Sequence, residues 1–174
     1  MTEEVIHGME WSHIAANEVS LYAGRMEETL GDKLVGIYIG GSFARGGFQP
    51  ATSDIDLLLV LSGAPTEQQT AAIKQAHQEA EVRFDTNFAE ASQARQDKVP
   101  TPIAFVMNPA GELLRPRGGA VDFIINRQDV YEAGVTLAGK RAKEYFKPAP
   151  WAVLSQSLEM TTPCIIGQCR NSVL

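Results

Sequence analysis

The sequence predicts an α/β fold, a mixed sheet of about five strands flanked by helices, with a short helical C-terminal segment. Two observations carry this. Short apolar, β-branched runs closed by glycine alternate with longer segments whose apolar residues recur about every 3.6 positions. One of the short runs, Ile55 to Val60, is apolar enough to lie at the centre of a sheet. The 174 residues are 44% hydrophobic and 21% charged, with no low-complexity tract or internal repeat, which suits one domain with at most a small appendage. The expected division is a domain over 1–149 and a helical segment over 150–174.

The elements follow in order. Between residues 11 and 30, Ile14, Ala15, Val19, Tyr22, Ala23 and Met26 mark an amphipathic helix, with Ser12 as its cap and Gly31 as its stop. "KLVGIYIGG" predicts a strand and a turn, and "DIDLLLVLS" a second, central strand. "TEQQTAAIKQAHQEAEV" follows Pro65 as a helix with Thr66 at its N-cap. "VRFDTNF" alternates, with Val82, Phe84 and Phe88 on one side and Arg83, Asp85 and Asn87 on the other, so it predicts a half-buried strand. Prolines and glycines between 91 and 119 predict turns, with a hairpin around Asn108 to Gly111. "AVDFIINRQDVYEAG" predicts a helix closed by Gly134, "VTLAG" a small strand, and "KRAKEYF" a short helix stopped by Pro148. "WAVLSQSLE" reads as helical, and a further helix is expected to start at the proline of "TTPCIIGQCRNSVL".

Composition narrows the function classes. No apolar run approaches the roughly 18 residues of a membrane span, and "MTEEVIHGME" lacks the basic and apolar regions of a signal peptide. A cytoplasmic location and no membrane partner are expected. The net charge of −6 repels a nucleic-acid polymer and attracts a polycationic small molecule. Cys164 and Cys169 are read as packing residues, since two thiols alone make no zinc site. His7, His13 and His77 form no ligand-spaced cluster and are read as surface or helix positions.

The chemistry is concentrated in "GGSFARGGFQPATSDIDLLLV", Gly40 to Val60. Asp54 and Asp56, two residues apart on a strand, point to one face. Carboxylates that close repel unless a cation lies between them. A hard divalent ion such as Mg²⁺ takes oxygen ligands and shares itself with substrate phosphates. The turn at Gly41 and Ser42 offers backbone N–H groups and a hydroxyl to phosphate oxygens. Arg45 is either a phosphate contact or an exposed structural residue. Asp85 is a third carboxylate if its strand lies beside Asp56, with Glu81 and Glu90 as alternatives. A phosphate-holding turn, two metal-binding carboxylates and a third acid match the needs of nucleotidyl transfer, in which two ions serve the attacking and leaving oxygens.

These residues carry a resemblance. "LGDKLVGIYIGGSFARGGFQPATSDIDLLLV" resembles the signature of the DNA polymerase β-type nucleotidyltransferase superfamily, a Gly-Ser followed by Asp-x-Asp. More narrowly it resembles the aminoglycoside adenylyltransferases that modify streptomycin and spectinomycin. "AGVTLAGKRAKEYFKPAPWAVLSQSLE" is similar to the segment where those enzymes pass into a helical domain. The resemblance implies a nucleotidyltransferase fold, with Gly41 and Ser42 on the triphosphate of ATP and Asp54 and Asp56 on Mg²⁺. It puts Asp85 where the family carries its third carboxylate, the catalytic base of the aminoglycoside enzymes.

Three departures stand out. Eleven residues separate Ser42 from Asp54, one more than is usual in the close relatives. The third acid is Asp85 where the aminoglycoside enzymes carry Glu. The helical domain that walls the acceptor pocket in the family is barely begun at Leu174. The implied activity is transfer of AMP from ATP to a hydroxyl of a small acceptor, an aminoglycoside-type antibiotic, with release of pyrophosphate. The rivals are a minimal enzyme that adenylylates a protein partner and a remnant that binds nucleotide without turnover. Apolar residues in 150–174, among them Trp151, Val153, Leu154 and Leu158, predict self-association, most simply a homodimer.

Overall fold

The computed structural model describes residues 13–49, 52–98, 105–114 and 121–165. Helix α1 (His13–Leu30) ends in a tight 3₁₀ turn at Gly31–Lys33, where Gly31 has φ +52°. Strand β1 (Leu34–Ile39) leads into a four-residue helix α2 (Gly41–Ala44), then β2 (Ile55–Leu61), α3 (Glu67–Glu79) and β3 (Phe84–Glu90). The chain continues through β4 (Phe105–Met107), β5 (Leu113–Leu114), α4 (Phe123–Ala133), β6 (Val135–Ala138), α5 (Ala142–Tyr145) and α6 (Trp151–Ile165).

The strands form one mixed six-stranded sheet in the order β5-β4-β3-β2-β1-β6. Only β2 and β3 run parallel; the other pairs are antiparallel. A parallel pair needs a crossover, and α3 supplies it. Its start is well specified: Thr66 accepts from the Gln69 N–H while the Gln69 side chain accepts from the Thr66 N–H, a capping box. The expected hairpin joins β4 to β5, closed by Gly111 N–H donating to Asn108 O at 2.8 Å.

Each face of the sheet has its own apolar cluster. Alternation along β2 sends Ile55, Leu57, Leu59 and Leu61 to the face covered by α1 and α3, with Phe84 and Phe88 of β3 beside them. Leu58 and Val60 point the other way, to a smaller cluster with Tyr38, Ala89, Phe123, Val130 and Phe146 under α4 and α5. Asp54 and Asp56 belong to this second face by the same alternation.

The structure corrects three readings. Ile14 is exposed, and the stripe of α1 runs instead through Ala15, Val19, Tyr22, Ala23, Met26 and Leu30. His77 is not a surface residue. It lies on α3 with its ring buried against Tyr22 and Phe84, the Tyr22 hydroxyl 3.3 Å from His77 Nδ1. No new helix starts at Pro163, because α6 continues through it to Ile165. Ser12, His7 and Cys169 lie outside the described residues, as do the side chains of His13 and Cys164. Among the described residues, no helix is long and apolar enough to cross a membrane.

Candidate active site

The parallel pairing of β2 with β3 sets Asp56 directly opposite Asp85. Both point to the α4 face, where Asp56 has Leu58 and Val60 after it and Asp85 has Asn87 and Ala89. Glu90 is at the far end of β3, opposite Leu61, and Glu81 precedes the strand, its N–H donating to Glu18 Oε2 at 2.9 Å. Of the three acids considered for the third position, Asp85 is the one across from Asp56.

The end of β1 closes over this pair. Gly40 N–H donates to Asp56 O at 3.0 Å. Gly41 follows with φ +63°, and a Cβ built on it would collide with Asp56 Oδ2. Two separate reasons thus demand glycine here: the left-handed backbone and the carboxylate lying against its Cα. Phe43, buried in α2, meets Phe48 edge-on at 4.9 Å and anchors the turn. Ser42 is half-buried beside it.

The electrostatics reflect crowded like charges. Burial first, then the charges of Asp54 and Asp129, hold the Asp56 carboxyl above the ordinary carboxylate range. Burial, followed by Asp56, Asp54 and Asp122, pushes Asp85 up to about 6. Asp85 Oδ1 is buried without a hydrogen-bond partner, an uncompensated acceptor that costs free energy unless something fills it. Asp54 is turned toward Arg83, whose Nε lies 2.8 Å from Asp54 Oδ1 and whose Nη2 donates to Thr52 O at 2.8 Å. With Asp54 so engaged, no three His, Cys, Asp or Glu side chains among the described residues converge in metal-holding geometry.

Two residues on α4 enter the site that the sequence did not single out. Asp129 Oδ2 accepts from Gly41 N–H at 2.7 Å, and Oδ1 accepts from Arg45 Nε at 2.6 Å. Asn126, one turn earlier, lines with Asp129, Asn87, Asp56, Gly40 and Gly41 a pocket of about 160 Å³ between sheet and helix. The only sequence signal for them was their spacing of three on a predicted helix, which puts them on one face. Arg45 is half-exposed and is held by Asp129.

Residues 23–105 match the family described as nucleotidyltransferase domain. Over that stretch the chain is similar to nucleotidyltransferase domains. That match covers β1 through β3 and hence Gly41, Ser42, Asp54, Asp56 and Asp85. Among solved structures, the nucleotidyltransferase fold of this chain superposes on the spectinomycin adenyltransferase AAD(9) from Enterococcus faecialis, solved with ATP and spectinomycin. The TM-score is 0.75 at 15% identity, over 90% of this chain and 69% of that one. At this identity the likeness shows the fold. Two toxin–antitoxin structures, one with AMP-PNP and one a MntA–HpeT mutant, reach a TM-score of 0.42 at 16% and 14% identity. They cover 87% and 85% of this chain and 96% and 95% of theirs, and carry no argument at that score. Comparison with curated proteins finds no match.

Proposed function

We propose that this nucleotidyltransferase domain moves AMP from ATP to a hydroxyl of a small acceptor of the aminoglycoside type, releasing pyrophosphate. The observation that carries the reading is Asp85 facing Asp56 across a parallel strand pair, beside a glycine turn shaped around the Asp56 carboxylate. The third acid and the phosphate turn are thus next to one another. The nucleotidyltransferase match supports the reaction type, and a fold shared with an enzyme solved with ATP and spectinomycin supports the acceptor class. The net charge of −6 favours a cationic acceptor over a polyanion.

In this mechanism the Gly41 N–H, the Ser42 hydroxyl and the Arg45 guanidinium hold the triphosphate. Asp85 takes the proton of the acceptor hydroxyl; its raised affinity for protons suits a general base working near neutral pH. The acceptor oxygen forms its bond to the α-phosphorus, the bond to the bridging oxygen breaks, and pyrophosphate leaves with the electron pair. The residues present fit a divalent cation: Asp56 and Asp85 repel each other, and Asp85 Oδ1 has no partner. Asp56 and Asp85 would hold Mg²⁺, joined by Asp54 once it leaves Arg83. The ions would supply charge neutralisation at the phosphates and at the attacking oxygen.

The test is pyrophosphate release from ATP and Mg²⁺ with a panel of aminoglycosides and other polyols, in wild type and Asp56→Asn. Turnover with a cationic aminocyclitol, lost in the variant, is expected. Turnover only with a protein acceptor would replace the substrate class, and no turnover with any acceptor would leave a nucleotide-binding remnant. We also propose that the chain self-associates through 150–174. Trp151 is 74% and Met160 46% exposed on α6, large apolar surface for a single helix to leave in water. Light scattering at micromolar concentration should give the mass of a dimer, and a monomer of about 18.9 kDa would remove the idea.

A further inference from the structure

The groups assigned to the triphosphate are already in use. Asp129 Oδ2 accepts from the Gly41 N–H at 2.7 Å, and its Oδ1 accepts from Arg45 Nε at 2.6 Å and touches a second nitrogen of the same guanidinium. Glu132, three residues along α4, reaches the same guanidinium at 3.6 Å. One carboxylate therefore takes both a backbone donor in a left-handed turn and a forked cation. A phosphate group binds such a pair in the same two-pronged way. We propose that Asp129 is a built-in stand-in for phosphate, which holds the nucleotide turn closed in the free chain and is displaced when the triphosphate enters. This rests on the nucleotidyl-transfer reading above.

The contact is not needed to hold α4 in place. Phe123, Ile124, Arg127 and Val130 of that helix are buried without it, and Arg127 is tied to Gln96 O and to Asp97. Asp129 lies at the mouth of the pocket, its side chain 21% exposed, so it can swing toward solvent without disturbing that packing. A phosphate and Asp129 cannot share the Gly41 N–H, because two anions at one donor repel. Arg45, half-exposed and on a flexible stem, can follow the phosphate instead. The turn thus stays ordered in the absence of nucleotide, and affinity is reduced by whatever Asp129 must give up.

Calorimetry of Mg²⁺·ATP binding to wild type, Asp129→Asn and Asp129→Ala tests this. Asn can still accept from Gly41 but loses the charge that holds Arg45; Ala loses both. Affinity should rise in the order wild type, Asn, Ala, with a gain of about tenfold for Asn, the scale of one charge-assisted hydrogen bond. Equal or weaker binding in both variants would overturn the stand-in and make Asp129 a positioning group for Arg45. Binding of ATP to none of the three proteins would overturn the nucleotide reading itself, and the stand-in with it. Wild type alone supplies a second readout should a variant fold poorly: ATP should shift the Arg45 Nε–H and Asp129 carboxyl resonances. Unchanged resonances with ATP bound would also overturn the proposal.

Discussion

The two faces of the sheet are built from the same strands and treat them differently. On the α1/α3 side, β2 offers Ile55, Leu57, Leu59 and Leu61, all within 2% of full burial, and β3 adds Phe84, its ring tilted 35° against that of Tyr22 with centroids 4.4 Å apart. On the α4 side the same two strands begin with Asp56 and Asp85 and turn apolar only at Leu58 and Ala89. One face spends its residues on cohesion. The other concentrates like charge, keeps an unpartnered carboxylate oxygen and satisfies its glycine turn with a side chain from another helix. Stability is thus drawn from one side of a strand and chemistry from the other, because alternation lets adjacent residues face different surroundings.

The comparison breaks most visibly if the apolar face is cut. Phe84→Ala should cost about 3–5 kcal/mol, the scale for removing a buried aromatic ring, read as a lower urea midpoint. A loss under about 1 kcal/mol would mean that α1 does not depend on this contact. The charged face should respond with the opposite sign. The folded-state affinity of Asp85 for protons is raised above that of the unfolded chain, so its contribution is full below pH 3.8 and lost as pH rises through about 6. Asp85→Asn should therefore raise stability at pH 7 without metal, on the order of 1–2 kcal/mol after solvent screening, and the gain should vanish near pH 4. The same variant should lower turnover by about 100-fold or more while ATP still binds, and a near wild-type rate would move the proton to another group.

A finer test uses His77. Burial lowers its affinity for protons in the folded state, against weaker help from backbone carbonyls. Its contribution is present above the ordinary pH of about 6.5 and is lost as pH falls. The two faces thus respond to acid in opposite directions between roughly pH 4 and 6.5. With Asp56, also raised, removed together with Asp85 in the Asp56→Asn/Asp85→Asn double variant, the His77 limb should emerge, with a slope no steeper than one proton. A flat profile there would show that His77 takes up its proton as readily in the fold as in the unfolded chain. Smallest of all, Thr66→Ala removes the cap of α3 far from the carboxylates and should cost about 1 kcal/mol with turnover unchanged. A change in activity would show that the crossover helix sets the register of Asp56 against Asp85.

Much of this was legible from residue order. Period-2 alternation put Arg83, Asp85 and Asn87 on one side of a strand and Phe84 and Phe88 on the other, and the capping pattern located the start of α3. The hairpin at Asn108 to Gly111 was readable from turn residues. Ile14 was misread because a helix pattern fixes the angle between side chains but not the width of the stripe that a partner covers. His77 lies on a helix, one of the two readings, but its burial was not legible because nothing local reveals that Tyr22 and Phe84 close over it.

What the sequence determined by itself was the local chemistry: a glycine turn after one strand, two aspartates one residue apart at the head of the next, and a third on the alternate face of another. Those depend on neighbours within a few positions, whose spacing and side-chain direction follow from strand geometry. Only the tertiary structure decided that β3 pairs parallel to β2, so that Asp85 meets Asp56, that Arg83 engages Asp54, and that Asp129 reaches back 88 residues to the Gly41 N–H. Such contacts come from the packing of whole elements, where burial of apolar faces chooses the arrangement and polar side chains find their partners afterwards.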